Sequence, residues 1–196
     1  MNDQYSVERI ADRIIIQDVI YKWCRAIDRL DYEGMRRVFH PDATDTHGSF
    51  DGPVDGLIEW VRERHKSIPF SSHRVCNILI EFANPDLALV ETYVLALQEY
   101  PAESKASLAQ LTGGQAGRPG VGINMLSSSR YVDRFERRNG EWRIARRKLI
   151  MDWKQLTEIP ENSPRPKSEW LVGRRDKHDF IYYERAELGL DDLGYF

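Results

Sequence analysis

An α+β fold, with helices first and a mostly antiparallel sheet after them, is what this sequence predicts, on three observations. Up to about Pro69 apolar residues recur in steps of three and four; beyond it they alternate. Asn139-Gly140 sits between two alternating runs, and both residues tolerate the positive φ of a two-residue hairpin turn. The chain has 196 residues, 41% of them hydrophobic, enough for one core plus an extension and too few for two ordinary domains.

Each element follows from its own pattern. Ser6 caps a first helical stretch carrying Val7, Ile10 and Ile14, and Ile16, Ile20, Trp23, Ile27 and Leu30 then paint one helix face, with Asp28 in its last turn. Asp31 caps a short second helix: Glu33 lies in its first turn, Met35, Val38 and Phe39 are its apolar positions, and Pro41 stops it. "DATDTHGSFDG" reads as a short strand and turn. "PVDGLIEWVRERHKS" reads as a third helix with Pro53 near its start and Val54, Leu57, Ile58 and Val61 as its buried stripe. Strands are predicted over 72–82, 87–100, 121–136 and 142–153. In the first of them Val75 and Leu79 share one side, Cys76, Ile78 and Ile80 the other, and His73 stands at the mouth.

The glycines, prolines and small residues of "PAESKASLAQLTGGQAGRPG" predict a long loop. Residues 154–196, with three prolines and then Trp170, Phe180, Tyr182 and Tyr183, read as an arm that packs on something without a core of its own, leaving 1–153 as the domain. On 87–100, Leu87, Leu89, Tyr93, Leu95 and Leu97 alternate with Ala88, Val90, Val94 and Ala96, so neither sheet face is simply solvated. A homodimer or homotrimer is the expected consequence.

Charge and composition exclude several classes. The net charge is −3 with basic residues scattered among acidic ones, so neither nucleic acid nor an anionic membrane is the expected partner, and a small hydrophobic ligand fits better. "MNDQYSVERIADR" has no basic and apolar leader pattern, and no apolar run approaches the roughly 18 residues of a membrane span. A cytoplasmic protein is expected, with Cys24 and Cys76 as free thiols. His40, Asp42, Asp45 and His47 in "HPDATDTH" suggest a metal site at first sight, but the strand pleat separates alternate residues, so no metal is expected. His47 remains able to reach a pocket as a polar group. No phosphate-binding glycine loop and no GxSxG elbow is present, and no cofactor is expected.

Taken in order, Asp28 at the end of the first helix, Asp31 three on, "FHPDA", His73 at a strand start and the "GEW" hairpin resemble the SnoaL-like branch of the nuclear transport factor 2 superfamily, over roughly residues 6–153. The resemblance implies a cone: a curved sheet wrapped on N-terminal helices around one deep pocket. It also implies lyase chemistry of the scytalone dehydratase, bile-acid 7α-dehydratase or hexachlorocyclohexane dehydrochlorinase type. In the eliminating members an Asp on the first helix pairs with a His on the facing strand, and Asp28 and His73 match these positions. His73 is then a general base for proton abstraction, its neutral imidazole suited to pH 7, and Asp28 orients it and stabilises the imidazolium.

Trp23 aligns where some dehydratases carry a polarising Tyr; Tyr21, on nearly the same helix face as Asp28, is a substitute. Arg147 matches a basic position of the dehydrochlorinase, and Arg130 lies on the adjacent strand, where Asn124 can share its face. The expected activity is a cofactor-independent lyase acting on an aromatic or polycyclic molecule, by dehydration, by carbon–carbon cleavage or as an isomerase. The alternatives are a non-catalytic ligand-binding module and the small structural subunit of a ring-hydroxylating oxygenase, which use the same fold.

Overall fold

The computed structural model describes residues 4–190. Helix α1 runs Val7–Arg29 without a break, capped by the Ser6 hydroxyl, which accepts the Arg9 amide at 3.3 Å. Its buried stripe is Ile16, Val19, Ile20, Trp23, Ala26 and Ile27, whereas Val7, Ile10 and Ile14 of the expected first stretch face solvent. Leu30 ends the helix in the left-handed region, φ 52°. Asp31 then caps α2 (Tyr32–Arg37) by accepting the Gly34 amide at 3.1 Å. Strands β1 (Phe39–His47) and β2 (Phe50–Pro53) form a short antiparallel pair, followed by α3 (Val54–Arg64).

Four long strands complete the sheet: β3 (Phe70–Asn84), β4 (Leu87–Tyr100), β5 (Ile123–Arg138) and β6 (Glu141–Glu158). Neighbours follow the order β2-β1-β6-β5-β4-β3, antiparallel except where β1 meets β6. Asn139 (φ 53°) and Gly140 (φ 84°) make the predicted hairpin turn, a conformation open to this pair because neither pays much for positive φ. The sheet is curved and unclosed. Its bulges add residues on one side of a pair and increase the local bend.

The bulges also set which side chains point inward. Between Val75 and Ile78, β3 carries one residue more than β4, so Val75, Ile78 and Ile80 all turn to the concave side and Leu79 turns outward, 55% exposed. This corrects the pairing of Val75 with Leu79 that strict alternation predicts. In β6 the same device sits at Ala145: Trp142 and Ile144 point inward, and the extra residue then brings Arg147 inward in place of Arg146.

The core lies between the helices and the concave face, where Trp23, Met35, Phe39, Leu57, Phe135 and Trp142 are essentially inaccessible. The expected loop after β4 contains a 3-10 turn, Ala102–Ser104, and a helix, α4 (Lys105–Thr112). Leu108 and Leu111 of α4 pack with Ile68, Tyr100, Ile123 and Met125, closing one end of the sheet. The sheet continues to Glu158, five residues past the expected end, and the arm after it carries a further helix, α5 (Phe180–Glu187), capped by Asp179. Among the described residues no helix is long and apolar enough to cross a membrane.

Candidate functional site

The last turn of α1 points Asp28 at the start of β3. There the His73 Nδ1 lies 2.7 Å from Oδ1, the His73 amide donates to Oδ2 at 2.8 Å, and the Ser71 hydroxyl donates to Oδ1 at 3.1 Å. Ser71 and His73 are two residues apart on one strand, so both face the carboxylate. A carboxylate only accepts, so Nδ1 carries the hydrogen of this contact, and in the neutral imidazole Nε2 keeps the lone pair. Both side chains are about 10% exposed, which holds the pair away from competing water.

His73 stands between two spaces. On one side is an open cleft of 380 Å³ with Tyr21, Cys24, Arg25 and Val75. On the other is a small recess of 30 Å³ inside the curved sheet, room for about one water. Its polar lining is His73, His47, Arg64, Gln98 and Tyr131 with Ser127 and Ser129; its apolar lining is Ala96, Leu111, Met125, Leu149 and Met151.

A hydrogen-bonded chain runs from the pair to Arg64. Gln98 donates to Ser71 Oγ at 3.3 Å, Tyr100 donates to Gln98 at 2.6 Å, and Arg64 donates to Tyr100 at 2.9 Å. Arg64 Nη2 also meets His65 Nε2 at 2.5 Å, while its Nε, buried, has no partner. His65 is inaccessible, and burial, followed by the charges of Arg64 and Arg175, holds it well below the usual imidazole range. The cavity therefore carries one fixed positive charge, Arg64, on the same lining as His73.

Deeper in the core Arg147 grips Asp133 through two hydrogen bonds of 2.8 and 2.7 Å, with neither side chain exposed. Burial works against the guanidinium, but Asp133, Tyr131 and Asp45 outweigh it and keep Arg147 above its ordinary pKa. The guanidinium lies 3.9 Å from the centre of the Tyr131 ring and 4.9 Å from that of Trp23. Trp23 donates to the Tyr131 hydroxyl at 3.2 Å, and burial pushes that phenol well up. Asp45 is inaccessible with both oxygens unpartnered, and His47 Nδ1 is 3.4 Å away without hydrogen-bond alignment.

The residues singled out from the sequence thus separate. His73 and His47 line the cavity, and Asp28, which lines the outer cleft, meets it through His73. Trp23 and Arg147 sit behind its wall, committed to Tyr131 and Asp133. Tyr21, 48% exposed, belongs to the outer cleft.

Arg130 and Asn124 are corrected: even-numbered residues of β5 point outward, since the cavity side holds Met125, Ser127, Ser129 and Tyr131. Arg130 is held there by Glu91 at 2.6 Å and Asp152 at 3.0 Å, and Asn124 lines a depression on the convex face. His40 bonds the Glu136 carbonyl and Asp42 pairs with Arg138, so "HPDATDTH" is dispersed; among the described residues no three metal-ligating side chains gather.

Sequence reasoning missed Arg64, Gln98, Ser71 and Tyr131. Arg64 had a signal: it continues the stripe of Leu57 and Val61 at i+7 and i+3, a charge at a core position of α3.

Solved structures with this fold include the hexachlorocyclohexane dehydrochlorinase LinA-type3 of Novosphingobium barchaimii, at a TM-score of 0.62 and 20% identity over 82% of this chain and 99% of that one. A candidate scytalone dehydratase of Novosphingobium aromaticivorans superposes with a TM-score of 0.60 at 18% identity, covering 82% and 97%. An uncharacterised protein of Mycobacterium tuberculosis is 30% identical over 78 residues, 38% of this chain and 53% of its own length, so the chain spans about half the length of the curated relatives it matches. The SnoaL-like domain family matches residues 8–148, a stretch that contains α1 from Glu8 on, the Asp28–His73 contact and the sheet as far as Lys148, and the chain belongs to that family.

Proposed function

We propose that the protein is a cofactor-independent lyase in which His73 is the general base and Asp28 its orienting partner. The observation that carries this reading is the 2.7 Å contact between Asp28 and His73 Nδ1, which leaves Nε2 as the basic atom of an imidazole lining a recess inside the sheet. In a dehydration Nε2 takes a proton from a carbon next to an activating group, the C–H electron pair becomes the new double bond, and hydroxide leaves, taking up a proton to become water. In a carbon–carbon cleavage the same atom takes a hydroxyl proton, the alkoxide collapses to an aldehyde, and the electron pair of the broken bond is protonated. Arg64 supports either course by stabilising negative charge that develops on oxygen.

The substrate class we favour is a small hydrophobic, aromatic alcohol. The present 30 Å³ does not admit one, so binding displaces Met125, Met151 and Leu111, of which the two methionines are unbranched and adaptable. The convex face supports self-association: Leu79, Leu89, Tyr93, Leu95, Ile150 and Trp153 are each between 37 and 55% exposed. We place the protein in the cytoplasm, where the exposed Cys76 stays reduced.

The test is a panel of aromatic and steroid-like alcohols incubated with wild-type protein and with His73→Ala. A product lighter by one water, or a released aldehyde, formed by the wild type alone supports the reading. Tight binding of a panel member with no turnover, equal in both proteins, replaces it with a ligand-binding module.

A further inference from the structure

The C-terminal arm lies beyond the segment matched by the family, yet it closes on the helix turn that carries Asp28. Arg175 reaches into the end of α1. Its Nε donates to the Asp28 carbonyl at 3.0 Å, Nη2 to the Ile27 carbonyl at 3.0 Å, and Nη1 to the Ile68 carbonyl at 2.9 Å. Nη2 also meets His65 Nδ1 at 2.8 Å.

Ile27 and Asp28 stand among the carbonyls that a helix C-terminus leaves without intrahelical partners, and they form the negative end of its dipole. Ile68 precedes β3, the strand that presents Ser71 and His73. One planar fork therefore ties the segment that holds Asp28 to the segment that leads into His73, a task that suits arginine because its donors are fixed relative to one another.

Further contacts close the arm around the same turn. Asp179 pairs with Arg29 at 3.0 Å, Lys177 with Asp31 at 2.7 Å, and the Tyr182 hydroxyl donates to Asp31 at 3.3 Å. They bracket Leu30, which turns the chain in the left-handed region at φ 52°.

We propose that Arg175 is a positioning residue for the Asp28–His73 pair, fixing the end of α1 against the approach to β3 so that the carboxylate meets Nδ1. The inference rests on the reading of that pair as base and orienting partner. Arg175 is not part of the cavity lining and makes no hydrogen bond to His73; it acts through the backbone at Ile27, Asp28 and Ile68. Without it the turn at Leu30 relaxes, the carboxylate shifts, and His73 samples the tautomer with the hydrogen on Nε2, which is useless as a base.

The readout is the tautomer of His73, measured by long-range nitrogen–proton NMR on protein carrying labelled histidine, with the resonance assigned through His73→Gln. In the wild type the hydrogen sits on Nδ1. Arg175→Ala shifts the population toward Nε2–H and, on a substrate, lowers kcat about 10- to 100-fold with KM little changed, the scale expected when a reacting group is displaced. Arg165→Ala, which removes an exposed arm pair with Glu99, leaves the tautomer at its wild-type value. If Arg175→Ala does not fold, Arg175→Lys carries the test, since an ammonium keeps the charge and cannot bridge the same carbonyls.

A wild-type tautomer in Arg175→Ala or in Arg175→Lys overturns the inference. Asp28→Ala separates it from its premise: an unchanged His73 in that variant refutes the pair itself, whereas a changed His73 there and an unchanged one in the Arg175 variants refutes the arm alone.

Discussion

Replacing Asp133 by Asn removes one charge from the fully buried Asp133–Arg147 ion pair and nearly preserves its volume. Arg147 then keeps one of its two short hydrogen bonds, 2.8 and 2.7 Å, to the amide oxygen and meets an NH2 donor in place of the other acceptor, at a site where both partners are inaccessible. Hydrogen bonds to charged groups contribute about 1.5–3 kcal/mol each net, and a buried pair broken on one side costs about 3–5 kcal/mol.

Two features reduce that figure. Asp45 sits opposite Arg147 in the β1–β6 register, and the Tyr131 ring lies 3.9 Å beneath the guanidinium. We therefore expect about 3 kcal/mol, the lower end of the range. Urea unfolding at pH 7 measures it: the midpoint should fall with the slope unchanged. The double variant Asp133→Asn, Arg147→Met, which removes both charges, should recover most of the loss. A loss under about 1 kcal/mol in the single variant, or a double variant weaker than the single one, refutes the account of this pair.

Three further outcomes are expected. Asp28→Asn and His73→Ala should each lower kcat by about 10² to 10⁴ at saturating substrate, and the double variant little more, because the two groups act as one unit; losses that multiply would remove the pairing. His65 has a folded-state pKa depressed below its unfolded value of about 6.5, so the unfolded chain binds the extra proton. Stability is then full above about pH 6.5 and is lost as pH falls below it, at up to about 1.4 kcal/mol per pH unit, and His65→Gln should flatten that limb in acid urea titrations. Leu95→Lys with Trp153→Lys, adjacent positions across the convex face with Ser128 between them, should convert a homodimer or homotrimer into monomers by light scattering; a wild type that is already monomeric at micromolar concentration contradicts self-association.

Periodicity made the helices and strands legible because burial enforces it: the stripe of α1 from Ile16 and the limits of β4 follow directly from side-chain spacing. Bulges broke the same rule. A single extra residue near Cys76 sends Leu79 outward, and another at Ala145 brings Arg147 inward, and neither position carries a glycine or proline to announce it.

Helix α4 was hidden by composition. The glycines and prolines after Thr112 read as loop, while "KASLAQLT" before them holds good helix formers with Leu108 and Leu111 three apart. The Asp28–His73 contact was reachable through resemblance. Arg64 left a trace in the buried stripe of α3, whereas Arg175 left none, since its partners are α1 carbonyls that only the folded chain brings to it.

The cavity wall next to His73 is built from the smallest side chains in the sheet. Ala96 pairs with Ser127 across β4 and β5, and Ser129 lies beside Met151 of β6. The same lining also holds longer apolar groups, Met125, Met151 and Leu111. Exchanging any of the three for a shorter or longer residue would change the capacity of the chamber while His73, Asp28 and the strand pairing stay where they are. In such an arrangement the size of the space and the Asp28–His73 contact are separately adjustable, so the chamber can be refitted by changing its furniture and leaving its foundations untouched.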